Sequence, residues 1–197
     1  MSKRLPDSAH QVLEFWYLRP EQPGHGQPRR EWFLKDASFD AAIRRQFGGL
    51  IESALAGGHR EWDAVPAGRL ARILVLDQFT RNAFRDTPRA FAGDALALDA
   101  ACALADQGLD RELAPLQRWF AYMPFEHAED LAAQERSVEL FTRLCTEYPD
   151  LDGALHYARL HRDIIARFGR FPHRNAILGR PSTPEELAFL QQPGSGF

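Results

Sequence analysis

Apolar residues return every three or four positions along most of this chain, the interval of helices that bury one face. Phe39, Ile43, Phe47, Leu50, Ile51 and Leu55 form the clearest stripe and predict a helix over 39–56, capped by Ser38 and ended by Gly57-Gly58. Before it, Val12, Phe15 and Trp16 predict a helix over 8–18. After it, Leu70, Ile73, Leu74 and Leu76 predict one over 67–79, opened by Pro66. An alanine-rich helix over 94–107 ends at Gly108, and a helix over 115–123 stops at Met123-Pro124. Leu131, Gln134, Val138, Phe141, Cys145 and Tyr148 predict a helix over 129–148. Tyr157, His161, Ile164, Ile165 and Phe168 predict one over 153–168, ended by Gly169. Thr183-Pro184-Glu185-Glu186 is a capping box with proline at the first helical position, and it opens a last helix to Leu190. No run alternates in the manner of a strand. The pattern predicts an all-α protein, an antiparallel helix-turn-helix stack of about eight to ten helices in a single domain over 1–197. The Pro/Gly-rich stretch 19–31 is expected to be a mobile loop, and 191–197 a frayed tail.

Composition narrows the class. A chain of 197 residues that is 45% hydrophobic and 26% charged can bury a substantial core. A formal charge of −3 argues against a general nucleic-acid binder. The absence of a long apolar run argues against a membrane span, and no apolar leader is evident, which points to the cytoplasm. Cys102 and Cys145 lack metal-ligand spacing and fall on apolar stripes, so they read as small buried hydrophobes.

The polar residues that interrupt the pattern carry the chemistry. Asp77 shares the face of Leu70 and Ile73, and a carboxylate there must be paired or neutral. Arg81 is one helical turn on, with Asn82, Arg85 and Arg89 following. These residues are one wall of an anion pocket or an ion-pair network joining helix ends. Glu126-His127 lies in what reads as a connector after Pro124, an adjacent carboxylate and imidazole suited to acid–base work. Glu129 reads as a helix-start acid, and Glu135 as a second internal carboxylate. His161 falls on the apolar side of its helix. The stretch 156–180 gathers six arginines and three histidines against one acid, Asp163. Within it Arg170, His173, Arg174 and Asn175 could clamp a carboxylate or phosphate, or could satisfy Asp77, Glu126, Glu135 and Asp163. The catalytic candidates are His127, His173 and Glu126. The ligand-binding candidates are Asp77, Arg81, Asn82, Arg170, Arg174, Asn175 and His161. No metal site is expected, because no Glu-x-x-His pairs occur. No cofactor is indicated, and the oligomeric state is open. The partner called for is a small anionic molecule or a peptide, with neither nucleic acid nor membrane.

LDQFTRNAFRDTPRAFAGD (76–94), YMPFEHAEDLAAQE (122–135) and HRDIIARFGRFPHRNAILGRPSTPEELAFL (161–190) together resemble a bacterial family known as domain of unknown function 924. VLEFWY and WFLKDASFD extend the resemblance over nearly the whole chain. It implies a tetratricopeptide-like helical fold and brings no activity, substrate or cofactor. Thr80 stands where the family usually has proline, and Ala128 where it usually has serine. If that serine were catalytic, Ala128 would count against activity here.

Overall fold

The computed structural model describes residues 4–196, and among them every regular element is helical. Helices α1 (Asp7–Tyr17), α2 (Ala37–Leu55), α3 (Pro66–Leu74), α4 (Thr80–Ala83), α5 (Asp94–Asp106), α6 (Pro115–His127), α7 (Leu131–Glu147), α8 (Asp152–Phe168) and α9 (Pro184–Leu190) follow in order. Among the described residues no helix is long and apolar enough to cross a membrane. Phe197, the last residue of the expected tail, lies outside the described residues.

The chain divides into two compact units. The first takes in the residues to Arg85 and Arg89–Pro124. The other takes in Asp86–Pro88 and the residues from Phe125 on.

The first unit is built on aromatic packing. Trp16 of α1 is fully buried, with the Phe120 ring edge-on at 5.3 Å and the rings of Phe39, Phe79 and Trp32 within 6.0 Å. Asp36, rather than Ser38, caps α2, accepting hydrogen bonds from the backbone of Ser38 and Phe39. The expected loop 19–31 runs through turns. Near its end the Arg29 guanidinium donates to the carbonyls of Phe15 and Trp16 at 2.8 and 2.9 Å, closing the C-terminal end of α1.

Between α3 and α4 the helix does not stop at Phe79. It widens into a π turn, Val75–Phe79, and continues. Such a turn holds one extra residue, and here it carries the fully buried Asp77. Two features fasten it. Thr80 Oγ1 donates back to the carbonyl of Leu76 at 2.6 Å. Gly93 packs so closely that a Cβ there would lie 2.1 Å from that same carbonyl oxygen, so only glycine fits.

The second unit packs α7 against α8. The buried face of α8 is Ala154, Ala158, His161, Ile164 and Ile165, while Tyr157 is exposed. The buried face of α7 is Gln134, Ser137, Leu140, Phe141, Leu144 and Cys145. Leu131 and Tyr148, read as part of that face, are exposed, and so is Glu135. The stripe could be satisfied by turning either Gln134 or Glu135 inward. Burying the neutral amide costs less than burying the carboxylate. Gly169 ends α8 in the left-handed conformation, φ 68°, and the Thr183–Glu186 capping box of α9 is formed in full.

Candidate functional site

The charged candidates of the first unit are paired internally. Arg81 donates to Asp77 Oδ1 at 3.0 Å and forks onto both oxygens of Asp94 at 2.8 and 3.0 Å. Gln78 donates to the other oxygen of Asp77 at 2.6 Å. Asn82 and Arg85 converge on the buried Asp40, and Arg72 grips Asp63 with two bonds. Arg89 reaches Glu52 at the surface. Asp77, Arg81 and Asn82 thus form two networks around Asp77 and Asp40, and none of the candidates from 126 onward belongs to this unit.

The second unit brings the remaining candidates together. Its outer layer is ionic. Arg170 forks onto both oxygens of Glu186 at 2.7 and 2.9 Å, and Asn175 donates to Glu186 at 3.3 Å and to Ser182 at 3.0 Å. The Arg170 hydrogen bonds and the Thr183 N–H pull the Glu186 carboxyl down to about 2. Arg180 forks onto Glu129 at 2.6 and 2.9 Å and donates to Asn175 and to the carbonyl of Phe171. Glu129 in turn accepts from the Phe171 N–H at 2.8 Å. Burial works against the Glu129 charge, yet Arg180 and that N–H hold its carboxyl below the ordinary range. These bonds fix the segment after Gly169, whose extended entry Pro172 enforces.

Inside this frame sits the fully buried ring of Phe171. His161 meets it edge-on at 5.5 Å, His173 lies against it at 5.6 Å, and the Arg174 guanidinium stacks 4.5 Å from its centre. His127 lies 6.3 Å from His161, centre to centre. Glu126 is buried, with Oε1 3.9 Å from His161 Nδ1. That nitrogen also faces the carbonyl of Tyr157 at 2.9 Å, so it carries the ring proton and donates it. Burial, then the cations and histidines around it, pushes the His161 imidazole down to about 3. Burial, then the adjacent Arg174, pushes His173 down to about 4. Both rings are therefore neutral near pH 7. The result is a guanidinium among neutral imidazoles on an aromatic platform, beside a buried carboxyl.

Several residues stand differently from their sequence reading. Glu126-His127 forms the end of α6 instead of a connector, because α6 continues through Pro124. Glu129 precedes α7 and belongs to the ionic frame. The acids that engage the basic stretch include Glu129, Glu185 and Glu186, together with Asp163, which pairs with Arg162 at 2.9 Å, whereas Glu135 is exposed. Phe171 does not stand out in the sequence, where only the following proline marks its extended backbone. The buried set Asp110, Arg118 and Tyr122 also escapes the sequence reading. Tyr122 donates to Asp110 at 2.5 Å, and burial with that bond raises its phenol to about 12. The available signal is the spacing of Arg118 and Tyr122, one turn apart. Among the described residues, no three His, Cys, Asp or Glu are arranged to hold a metal ion.

Comparison with known proteins places this arrangement in context. Residues 12–194 match the family described as bacterial protein of unknown function (DUF924). A solved structure, that of the protein of unknown function ATU0120 from Agrobacterium tumefaciens, is 39% identical. The match covers 93% of this chain and 96% of that one, with a TM-score of 0.81. No curated protein matches the chain.

Proposed function

We propose that this chain, which belongs to the bacterial family of unknown function DUF924, binds a small anionic ligand at the Phe171-centred cluster of its second unit. The observation that carries this reading is Arg174. It is a buried guanidinium stacked on the Phe171 ring, and its charge is felt by the imidazoles of His161 and His173, which stay neutral. A cation with a planar fork in a dry site attracts a carboxylate or phosphate strongly, since little water screens it. His127 and Glu126 lie at the edge of the same cluster, where they are suited to hydrogen bonding or proton transfer with the ligand. Arg81, Asn82, Arg170 and Asn175 hydrogen-bond to carboxylates of their own units and are read here as part of the frame.

The tryptophans weigh against the alternative of a tetratricopeptide-like peptide groove. Trp16, Trp32 and Trp62 are core residues rather than groove lining. One observation does favour a peptide seat. An apolar cleft of about 260 Å³ opens between α8 and α9, lined by Leu160, Ile164, Phe168, Phe189 and Pro193 among others. Fold-level likeness adds little to it.

The test is native mass spectrometry of freshly purified protein beside its denatured mass, followed by titration with small carboxylates and phosphate. Binding that is lost in Arg174→Gln, with the thermal melt kept, supports the reading. An apo mass together with no binding of any anion overturns it.

A further inference from the structure

Three side chains that are cations, or become cations in acid, share the ring of Phe171. His161 comes from α8, and His173 and Arg174 from the segment after Gly169, all within 5.6 Å of the ring centre. His127, at the end of α6, adds an imidazole 6.3 Å from that of His161. Arg174 is always charged, so a proton on His161 or His173 sets a second positive charge against the same buried ring. The surroundings offset it poorly. Glu126 Oε1 faces His161 Nδ1 at 3.9 Å, longer than a hydrogen bond. Glu129 faces His173, but it is already engaged by two nitrogens of Arg180 and by the Phe171 N–H, and Arg180 itself adds to the positive side. The buried face of α7, packed along α8, is made of neutral side chains.

The apolar anchorage of this segment on α8 is small. Phe171 packs with Ile164 and Ile165, and Phe189 lies against Phe168 at 5.1 Å. Elements with few buried apolar contacts open first. The Arg170–Glu186 pair lies within the segment and moves with it. While the segment is packed, burial and the nearby cations keep both imidazoles neutral well below their ordinary range. Once it opens into water they take up protons near 6.5, above the range in which carboxylates titrate. Among the described residues the first unit has no such cluster. His10 and His25 are exposed, His59 stacks on Trp62, and the buried ions are carboxylate–guanidinium pairs. We propose that the histidines around Phe171 form an acid-operated latch: when they are protonated the segment after Gly169 parts from α8, while the first unit stays folded.

The test uses the full chain and hydrogen exchange resolved by segment at pH 7 and pH 5, corrected for the intrinsic effect of pH on exchange. Tryptophan emission gives an independent signal, because Trp16, Trp32, Trp62 and Trp119 all belong to the first unit. Protection of the amides in 170–180 is expected to fall by about twentyfold for each imidazole that is released, with tryptophan emission and the protection of α2 unchanged. His161→Gln and His173→Gln should each remove about twentyfold from that loss, and the double variant should be as protected at pH 5 as at pH 7. Unchanged protection of 170–180 in the wild type overturns the latch. A loss of equal size in α2 overturns it as well, since acid would then act on both units alike. If a variant folds poorly at pH 7, the wild-type comparison of the two units decides alone.

Discussion

The buried charges of the two units resemble one another in sequence and differ in physics. Asp77, in the first unit, is enclosed, and each of its oxygens has a side-chain donor, Arg81 on one and Gln78 on the other, with Asp94 completing the guanidinium's fork. Asp40 is met by Asn82 and Arg85 in the same manner. The second unit keeps that logic in its outer layer, at Glu129–Arg180 and Glu186–Arg170. Its interior instead gathers neutral imidazoles and a guanidinium around Phe171. A paired charge serves the fold.

The sharpest way to break this contrast is to remove one cation from each unit. Arg81→Met takes the cation from the buried Asp77, leaving Gln78 on its other oxygen, and is expected to cost about 3–5 kcal/mol in urea denaturation, the usual penalty for breaking a buried ion pair. Arg174→Gln should abolish anion binding. If Arg174→Gln still binds anions as the wild type does, the reading of the second unit's interior as a site collapses.

Acid offers another separation. The His161 pKa in the folded protein is about 3, below its ordinary 6.5. The unfolded chain then binds a proton that the folded chain refuses, so stability falls as pH drops below 6.5 and goes on falling toward pH 3. This one group accounts for about 2 kcal/mol lost between pH 7 and pH 5. His161→Gln should flatten that part of the profile, measured as urea midpoints at the two pH values. An unchanged slope would mean that His161 is charged when folded, and the neutral interior would be wrong. The ionic frame answers in a lower window. Glu186, held near 2, contributes stability that is complete above its ordinary 4.5 and lost as pH falls through 2. Glu186→Gln should be less stable than wild type at pH 6, and the two should converge toward pH 2.

Much of the fold could be read from the chain because helices declare themselves locally. The stripe from Phe39 to Leu55, the glycine at 169 and the Thr183 capping box each depend on neighbours within a turn or two. The same local rule exposed Asp77 with Arg81, and His161 on an apolar face. What stayed hidden depends on distance or on a choice between near-equal alternatives. The π turn adds one residue without any sequence mark of its own. Pro124 breaks a helix by rule, yet α6 passes through it to deliver Glu126 and His127. Periodicity set Gln134 on the buried stripe, but it also drew Glu135 inward, because it does not weigh the desolvation that keeps the carboxylate exposed. Arg180 finds Glu129 across 51 positions, and no spacing rule predicts that pairing. Phe171 was invisible for the same reason: a platform is defined by the groups stacked on it, and those arrive from α8 and from the segment that follows it.

The weakest effect sharpens the comparison from the opposite side. Arg89 and Glu52 make a two-bond ion pair as short as any in the interior, 2.6 and 2.8 Å, and Arg89 also lies over Phe84 at 4.1 Å. Geometry alone would rank it with Arg81. Its side chains, however, are 53% and 57% exposed, whereas Asp77 is wholly enclosed. Water already solvates both partners, so the pair gains little on forming, and salt screens what remains. Arg89→Gln is therefore expected to change stability by less than about 1 kcal/mol, and the difference should vanish in about 1 M salt. Arg81→Met should keep most of its penalty at that ionic strength, because screening does not reach a buried carboxylate. A large, salt-resistant loss at Arg89 would show that exposure is the wrong axis along which to sort the ionic groups of this protein.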